Sequence, residues 1–260
     1  MSKDLPVALA TVIGGSGTVG TAVRRELAAR RYETLATYRR EPTPSNSPDL
    51  DWTRVDVSTG EGLHDLVRKV DQCERPLAAL IYLVGAGSSK RTVEHTAVEE
   101  FQRLHEVNAL GFLRCWRALG PALRYHRAGV VVVSSEAARV HSPGNGPYAA
   151  SKVALESIAL TLAAEEQLYG VRVNVLSPGS IRSPMAEDVV AKRGDQTVDE
   201  YYRGLPWGRP LDPAEVAEAL VSVALDPGWG YATGQVFRLA CGPRRSSSAG
   251  QASWANGGSL

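Results

Sequence analysis

Short apolar runs alternate with longer segments of helical periodicity along most of the chain. The predicted strands span residues 7–13, 34–38, 53–55, 77–84, 129–134, 171–176 and 235–240. Between them, apolar residues recur about every 3.6 positions over residues 18–30, 60–70, 96–124, 147–169 and 212–225. Near-continuous apolar strands are typical of a parallel sheet that is buried on both faces. The pattern therefore predicts an α/β protein, a single-domain doubly wound parallel sheet with helices on both faces.

Three stretches depart from this alternation. Residues 41–49 carry three prolines and are predicted to form a surface loop after the second strand. Residues 183–210 are polar and contain glycine and proline, so we expect an irregular insertion that acts as a lid over the substrate. Residues 244–260 are rich in Ser, Gly and Ala, and we expect them to form a flexible tail after a domain of residues 1–243.

Composition and charge exclude several classes of function. The 260 residues include 29 basic and 28 acidic side chains, and this balance argues against nucleic acid or an anionic membrane surface as a partner. No apolar run approaches the roughly 18 residues of a membrane span. The 3 cysteines form no pair motif and the 5 histidines have no metal-ligand spacing. We therefore expect a reduced, cytoplasmic setting and no metal site.

A glycine-rich loop follows the first predicted strand directly. Glycine lets the backbone turn sharply and approach a pyrophosphate closely, and the next helix offers free N–H groups to the anion. A glycine motif alone also fits a turn without a ligand, but its position at the first strand–helix junction favours a dinucleotide site. The predicted binding residues in this loop are Gly14, Ser16, Gly17, Thr18, Val19 and Gly20.

The residues after the second strand bear on the choice of cofactor. Tyr38, Arg39 and Arg40 stand where a site for NAD would carry an acid for the ribose 2′-hydroxyl. Arginine can instead hold a 2′-phosphate through bidentate, charge-assisted hydrogen bonds, so we predict NADP(H); simple solvation of the arginines is the alternative. Asp56, followed by Val57, either accepts from the adenine amino group or caps the next turn.

A tyrosine, a lysine and a serine form the candidate catalytic set. Tyr148 and Lys152 share a helix face at i and i+4, and the lysine cation is expected to lower the pKa of the phenol. That suits Tyr148 to proton transfer near neutral pH, although an ordinary helix-surface contact is the alternative. Ser135 ends a buried strand at the sheet edge where ligand sites gather, and its hydroxyl can donate to a carbonyl oxygen. Its neighbour Ser134 points the opposite way.

In this order and spacing, the motifs resemble those of the short-chain dehydrogenase/reductase family over nearly all of residues 5–243. The matching positions are the glycine loop, Asp56, Asn108, Ser135, Tyr148, Lys152 and the pair Pro178-Gly179. The resemblance implies a Rossmann-type fold and hydride transfer between a nicotinamide and a carbonyl carbon. It also adds Asn108 to the catalytic set, as the residue that supports a helix kink whose carbonyl holds a water in a proton relay to Lys152.

The resemblance further implies contacts beyond the catalytic set. Residues after the sixth strand embrace the nicotinamide in the family, which assigns cofactor contacts to Pro178, Gly179, Ile181 and Ser183. The resemblance also assigns cofactor contacts to Tyr148 and to Lys152, which in the family grips the nicotinamide ribose. After the fourth strand, Val84, Gly85 and Ala86 replace the usual Asn-Asn-Ala, so cofactor contacts are expected there without the asparagine hydrogen bonds. The predicted substrate contacts are Ser135, Met185 and Tyr202.

The chain is similar to 3-oxoacyl carrier-protein reductases and to ketoreductases of polyketide biosynthesis. This implies NADPH-dependent reduction of a ketone to a secondary alcohol. The arginine-rich, lysine-poor composition is consistent with a GC-rich bacterial genome and favours antibiotic biosynthesis, with an aromatic polyketide such as an angucycline-type ring ketone as the substrate. The alternatives are a 3-oxoacyl carrier-protein reductase, an NAD-dependent alcohol dehydrogenase and a non-catalytic NADP-binding sensor. The resemblance also implies a homotetramer.

Overall fold

The computed structural model describes residues 8–42, 50–194 and 196–241. Its seven strands form one sheet in which every pairing is parallel. They are β1 (Leu9–Ile13), β2 (Glu33–Tyr38), β3 (Leu50–Arg54), β4 (Leu77–Tyr82), β5 (Gly129–Val133), β6 (Arg172–Pro178) and β7 (Val236–Leu239). The strand order across the sheet is β3-β2-β1-β4-β5-β6-β7, so successive strands are added towards one edge from β1 to β3 and towards the other edge from β4 to β7. The predicted doubly wound parallel sheet is confirmed.

Helices cover both faces of the sheet, as predicted. They are α1 (Thr18–Ala29), α2 (Leu63–Gln72), α3 (Val98–His105), α4 (Gly111–His126), α5 (Gly146–Glu165), α6 (Pro184–Arg193), α7 (Val198–Gly204) and α8 (Pro213–Leu225). Helices α1 and α8 pack on one face, whereas α2, α4 and α5 pack on the other. Among the described residues, no helix combines the length and the apolar character that crossing a bilayer requires.

The strand β5 shows why its sequence is apolar without interruption. Val130 and Val132 point into the core beneath α4 and α5, while Val131 points into the core beneath α1 and α8. Successive side chains of a strand alternate between the two faces of a sheet, and each face here is covered by helices. All three valines are therefore almost fully buried.

The predicted irregular insertion at 183–210 is wrong, because the segment contains α6 and α7. Ser183 caps α6 by accepting from the Ala186 N–H. Thr197 and Glu200 form a capping box at the start of α7. These local caps stabilise short helices whose apolar periodicity is too weak to predict them.

Smaller differences concern element bounds. The third strand begins at Leu50 rather than at residue 53. The predicted helix over 96–124 is interrupted by a π-helical turn, Glu106–Leu110, between α3 and α4. Most of the predicted loop at 41–49 and the whole predicted tail at 244–260 lie outside the described residues.

Candidate functional site

A cleft of about 1380 Å³ opens beyond the carboxyl ends of the central strands. Because the strands are parallel, the loops that leave them meet at this one edge of the sheet. Of the predicted site residues, the cleft is lined by Gly14, Gly17, Thr18, Val19, Gly20, Gly85, Ser135, Tyr148, Lys152, Pro178, Gly179, Ile181, Ser183 and Met185. Residues far apart in the sequence thus share one concave surface.

The glycine loop and the start of α1 form one end of the cleft. Gly14 has a φ of 87°, and its N–H donates to the Thr37 hydroxyl at 2.9 Å. A Cβ atom at Gly20 would lie 2.4 Å from the Gly14 carbonyl oxygen, so only glycine lets α1 begin this close to the loop. The first turn of α1 holds no acidic residue and its N-cap supplies no side-chain hydrogen bond. The free N–H groups at this helix start are suited to a phosphate anion.

Arg24 supports the glycine loop and was missed by the sequence analysis. Its side chain is buried, and Nε donates to the Gly15 carbonyl oxygen at 3.0 Å. The guanidinium carbon lies 4.7 Å from the centre of the Trp52 ring. Burial lowers the pKa of Arg24. No local pattern marks this residue, because an arginine in the second turn of an amphipathic helix normally faces solvent.

The end of β2 presents two exposed arginines, Arg39 and Arg40. Tyr38, just before them, packs edge-on against Trp52 with ring centres 6.0 Å apart. Asp56 accepts hydrogen bonds from both the N–H and the hydroxyl of Ser58, at 2.9 and 2.6 Å. The Ser58 hydroxyl is the largest influence that lowers the pKa of this carboxyl group. Of the two roles left open for Asp56, capping the turn is the one that these contacts support.

Val57, which was predicted to contact the cofactor, does not line the cleft. It is buried. A Cβ atom added to Gly111 would lie 2.8 Å from a Val57 methyl carbon. Val57 therefore packs against the start of α4.

Tyr148 and Lys152 lie in the first two turns of α5 and face the same part of the cleft. The Lys152 Nζ atom is 5.9 Å from the centre of the Tyr148 ring and donates to the Val133 carbonyl oxygen at 2.9 Å. The Ser135 hydroxyl lies close enough to the Tyr148 hydroxyl to influence its pKa. The side chain of Lys152 is buried, and desolvation lowers its pKa to about 8. The three predicted side chains are brought together.

The predicted lowering of the Tyr148 pKa is wrong for this structure. Burial of the phenol is the largest influence and raises its pKa, while the hydrogen bond with Ser135 acts in the opposite direction. Desolvation disfavours the charged phenolate, and this cost outweighs the opposing influence of Ser135. The phenol is therefore protonated at neutral pH, the state that a proton donor requires.

Asn108 lies in the π-helical turn that interrupts the predicted long helix, and it is fully buried. Its Oδ1 atom accepts from the Ala86 N–H at 2.7 Å, and its Nδ2 atom donates to the Ala86 carbonyl oxygen at 3.1 Å and to Ser151 Oγ at 2.9 Å. Asn108 thus ties the loop after β4 to α5. It does not line the cleft, so its position suits support of the backbone.

The loop after β4 has its own bracing in place of the usual asparagines. A Cβ atom at Gly85 would lie 3.3 Å from Lys152 Nζ, so the glycine leaves room for the ammonium group. A Cβ atom at Gly14 would meet a Val84 methyl carbon at 3.2 Å, which shows how closely Val84 packs on the glycine loop. Ala86 is held through both of its backbone groups by Asn108.

At the other end of the cleft, Met185 is an exposed lining residue at the start of α6. Tyr202 is buried and does not line the cleft, contrary to its predicted substrate contact. Its neighbour Tyr201 lines the cleft instead, with its hydroxyl 2.7 Å from Ser180 Oγ. Consecutive residues of a helix point about 100° apart, so the choice between them depends on how α7 is oriented.

Several charged lining residues were not predicted. Lys90, in the loop after β4, extends to Asn145, with Nζ 2.7 Å from Oδ1. Arg238 on β7 forms two hydrogen bonds to Glu136, at 2.7 and 2.6 Å. The signal that could have found Lys90 is its place just after a central strand, since such loops border the ligand site of a parallel sheet. In the part of the chain that the structure describes, no cluster of side chains could hold a metal ion.

Known proteins resemble this chain over most of its length. A family model described as enoyl-(acyl carrier protein) reductase matches residues 16–243. The uncharacterized oxidoreductase YgfF of Escherichia coli is 30% identical over 251 residues, covering 91% of this chain and all of that protein. The 3-oxoacyl-(acyl-carrier-protein) reductase of Bos taurus is 29% identical over 231 residues, covering 87% of this chain and 93% of that protein.

The fold is also similar to the folds of solved structures. A variant of actinorhodin polyketide ketoreductase with NADPH has a TM-score of 0.80 and 22% sequence identity, covering 90% of this chain and 95% of that one. At this identity the similarity is evidence for the fold alone.

Proposed function

The chain belongs to the short-chain dehydrogenase/reductase family of oxidoreductases, and from this premise we propose that it is an NADPH-dependent ketoreductase that reduces a ketone to a secondary alcohol. The observation that carries the proposal is the convergence of Ser135, Tyr148 and Lys152 in a cleft that also holds a helix start without a side-chain cap. A protonated phenol beside a serine hydroxyl is suited to a carbonyl oxygen that gains a proton.

The residues present fit a dinucleotide with an additional phosphate. The free N–H groups of Thr18 and Val19 at the start of α1 suit a diphosphate, and a side chain at Gly20 would collide with the loop that has to receive it. Arg39 and Arg40 are exposed and suit a 2′-phosphate. When bound, this cofactor supplies the hydride that reaches the carbonyl carbon.

In the proposed mechanism, the protein positions the carbonyl group and transfers one proton. Ser135 donates a hydrogen bond to the carbonyl oxygen and polarises it. Tyr148 donates its phenolic proton to the oxygen as the alkoxide forms, and the Lys152 ammonium stabilises the phenolate that results. Asn108 holds the kinked helix that borders the proton path to Lys152. Solvent then returns the proton to Tyr148.

We expect the purified protein to oxidise NADPH in the presence of α-tetralone, a bicyclic aromatic ketone, because the cleft is large and has apolar walls. The measurement is the fall in absorbance of NADPH with a panel of that ketone, an aliphatic ketone and a 3-oxoacyl thioester. Faster turnover of the thioester would support the alternative of a 3-oxoacyl carrier-protein reductase, which the Bos taurus relative favours. Binding of NADPH without turnover of any of the three compounds would contradict the proposal and support the alternative of a non-catalytic NADP-binding sensor.

We expect Arg39→Asp to raise the KM for NADPH about tenfold or more while the KM for NADH stays within about twofold. The reason is that the substitution replaces a cation suited to the 2′-phosphate with an anion that repels it. Arg68→Asp is the matched control, since Arg68 is an exposed residue of α2 outside the cleft. Equal use of both cofactors by the wild-type protein would contradict the assignment of NADP(H).

For the substrate, we propose an aromatic polyketide intermediate. Met185, Tyr201 and Trp207 line the cleft from the segment 183–210, and they offer apolar and aromatic surface to a ring system. Trp207 is largely exposed and has a φ of 59°, an uncommon backbone conformation for a residue with a side chain. We propose that this segment is the substrate lid.

We also propose the wider context of the protein. We assign residues 1–243 to the NADP-binding domain; the predicted tail at 244–260 lies outside the described residues. A homotetramer that uses α4 and α5 agrees with the exposure of Val153 on α5 and Tyr125 on α4. The three cysteines are free thiols, a state that a cytoplasmic location maintains.

A further inference from the structure

One wall of the cleft beside Tyr148 is formed by the loop after β4 and by the residues that precede α5. Lys90 has a φ of 67°, which is uncommon for a residue with a side chain. Gly144 has a φ of 73°, and a Cβ atom there would lie 2.5 Å from the Lys90 carbonyl oxygen. Close packing of two left-handed residues therefore holds Lys90 in a costly conformation that directs its side chain into the cleft.

The ammonium group of Lys90 meets one hydrogen-bond acceptor among the described residues. It is half-buried, its Nζ atom donates to Asn145 Oδ1 at 2.7 Å, and it lies 5.8 Å from the centre of the Tyr148 ring. An ammonium group carries three donors, and a neutral amide oxygen accepts one of them. No carboxylate of the described residues forms an ion pair with Lys90; Asp188, which acts on it from a distance, is paired with Lys192 at 2.5 Å.

The other charged side chains that line the cleft do not neutralise the positive charge of Lys90. Glu136 is the acidic side chain among the described residues that line the cleft, and it is occupied by Arg238 and Arg139. Arg209 is paired with Glu215. A half-buried cation without a counter-ion is stabilised by an anion that arrives with a ligand.

We propose that Lys90 binds a carboxylate of the substrate, so that the preferred ketones are keto acids. This inference rests on the proposed ketone reduction and adds a substrate class to it. The substrate carboxylate accepts hydrogen bonds from the Lys90 ammonium group, while the ketone oxygen accepts hydrogen bonds from Ser135 and Tyr148. Lys152 is not available for this role, because it is buried and donates to the Val133 carbonyl oxygen.

The test compares two acids with their methyl esters, 4-oxopentanoate and 3-acetylbenzoate, as substrates with NADPH. We expect kcat/KM to be about tenfold higher for each acid than for its ester, since a charge-assisted hydrogen bond is lost in the ester. In Lys90→Gln, the KM for the acids should rise about tenfold while the values for the esters and for NADPH stay within about twofold. Lys90→Arg should retain most of the preference for acids.

Arg68→Gln is the control, because it removes a positive charge from an exposed position of α2 outside the cleft. It should leave the acid-to-ester ratio unchanged. Equal kcat/KM for acids and esters, an equal loss of both in Lys90→Gln, or a higher KM for NADPH in that variant would overturn the inference. If the esters and the neutral ketones are reduced and the acids are not, this inference fails alone. If no ketone is reduced, the proposed function fails with it.

Discussion

Tyr148→Phe is expected to lower kcat for ketone reduction by about 1,000-fold or more, because the variant cannot donate a proton to the forming alkoxide. The pKa of Tyr148 is raised by burial, so the wild-type phenol holds its proton throughout the neutral range. Binding of NADPH, measured by fluorescence titration, should change little, since the substitution removes a single hydroxyl group and leaves the glycine loop and the start of α1 unchanged.

Tyr231→Phe is the matched control for this substitution. Tyr231 precedes β7, is fully exposed and lies outside the cleft. Its variant should retain full activity. Retention of more than about a tenth of wild-type kcat by Tyr148→Phe would show that another group supplies the proton.

Lys152→Met is expected to lower kcat/KM by about 100-fold or more, because the ammonium group no longer stabilises the phenolate. The wild-type pH profile of kcat/KM for reduction should be level at neutral pH and fall above about pH 8, where Lys152 loses its proton. The fall in kcat/KM near pH 8 should be absent in the variant. If the fall persists in the variant, a group other than Lys152 causes it.

Although Lys152→Met is expected to lower activity, it is expected to maintain or raise the stability of the fold. Burial lowers the pKa of Lys152 from 10.5 to about 8, so the folded protein binds fewer protons than the unfolded chain between these values. Its contribution to the free energy of unfolding therefore rises as pH increases through about 8, and the charged form destabilises the fold at neutral pH. Lys152→Met should unfold at an equal or higher temperature than wild type at pH 7, which separates lost chemistry from lost folding. A lower unfolding temperature would indicate that the hydrogen bond to the Val133 carbonyl oxygen outweighs the cost of burying the charge.

The strands show which structural features sequence patterns report well. The run Val130 to Val132 is apolar at every position because each of its residues meets a covered face, and the parallel sheet follows from that pattern. The segment 183–210 shows the opposite case. Its two short helices depend on the caps at Ser183 and Thr197, whose signal is easily lost among other polar residues.

In the candidate site too, some residues could be predicted from local sequence features and others could not. The spacing of Tyr148 and Lys152 on one helix, and the position of Ser135 at a strand end, are local features that predicted a shared cleft. Tyr202 is a case in which local sequence features did not identify the residue that lines the cleft. Neighbouring helix residues differ in direction by about 100°, and only the packing of α7 makes Tyr201 the lining residue.

The sequence by itself determined the parallel sheet, the glycine loop at its first helix and the residue types that carry the chemistry. Periodicity and motif spacing are local properties, and a single chain displays them directly. Only the tertiary structure decided the direction in which the Tyr148 pKa shifts and the placement of Lys90 in the cleft, where no carboxylate of the described residues pairs with it. Both depend on desolvation and on which charges lie nearby, and those quantities are set by residues that are distant in the sequence and meet only when the chain folds.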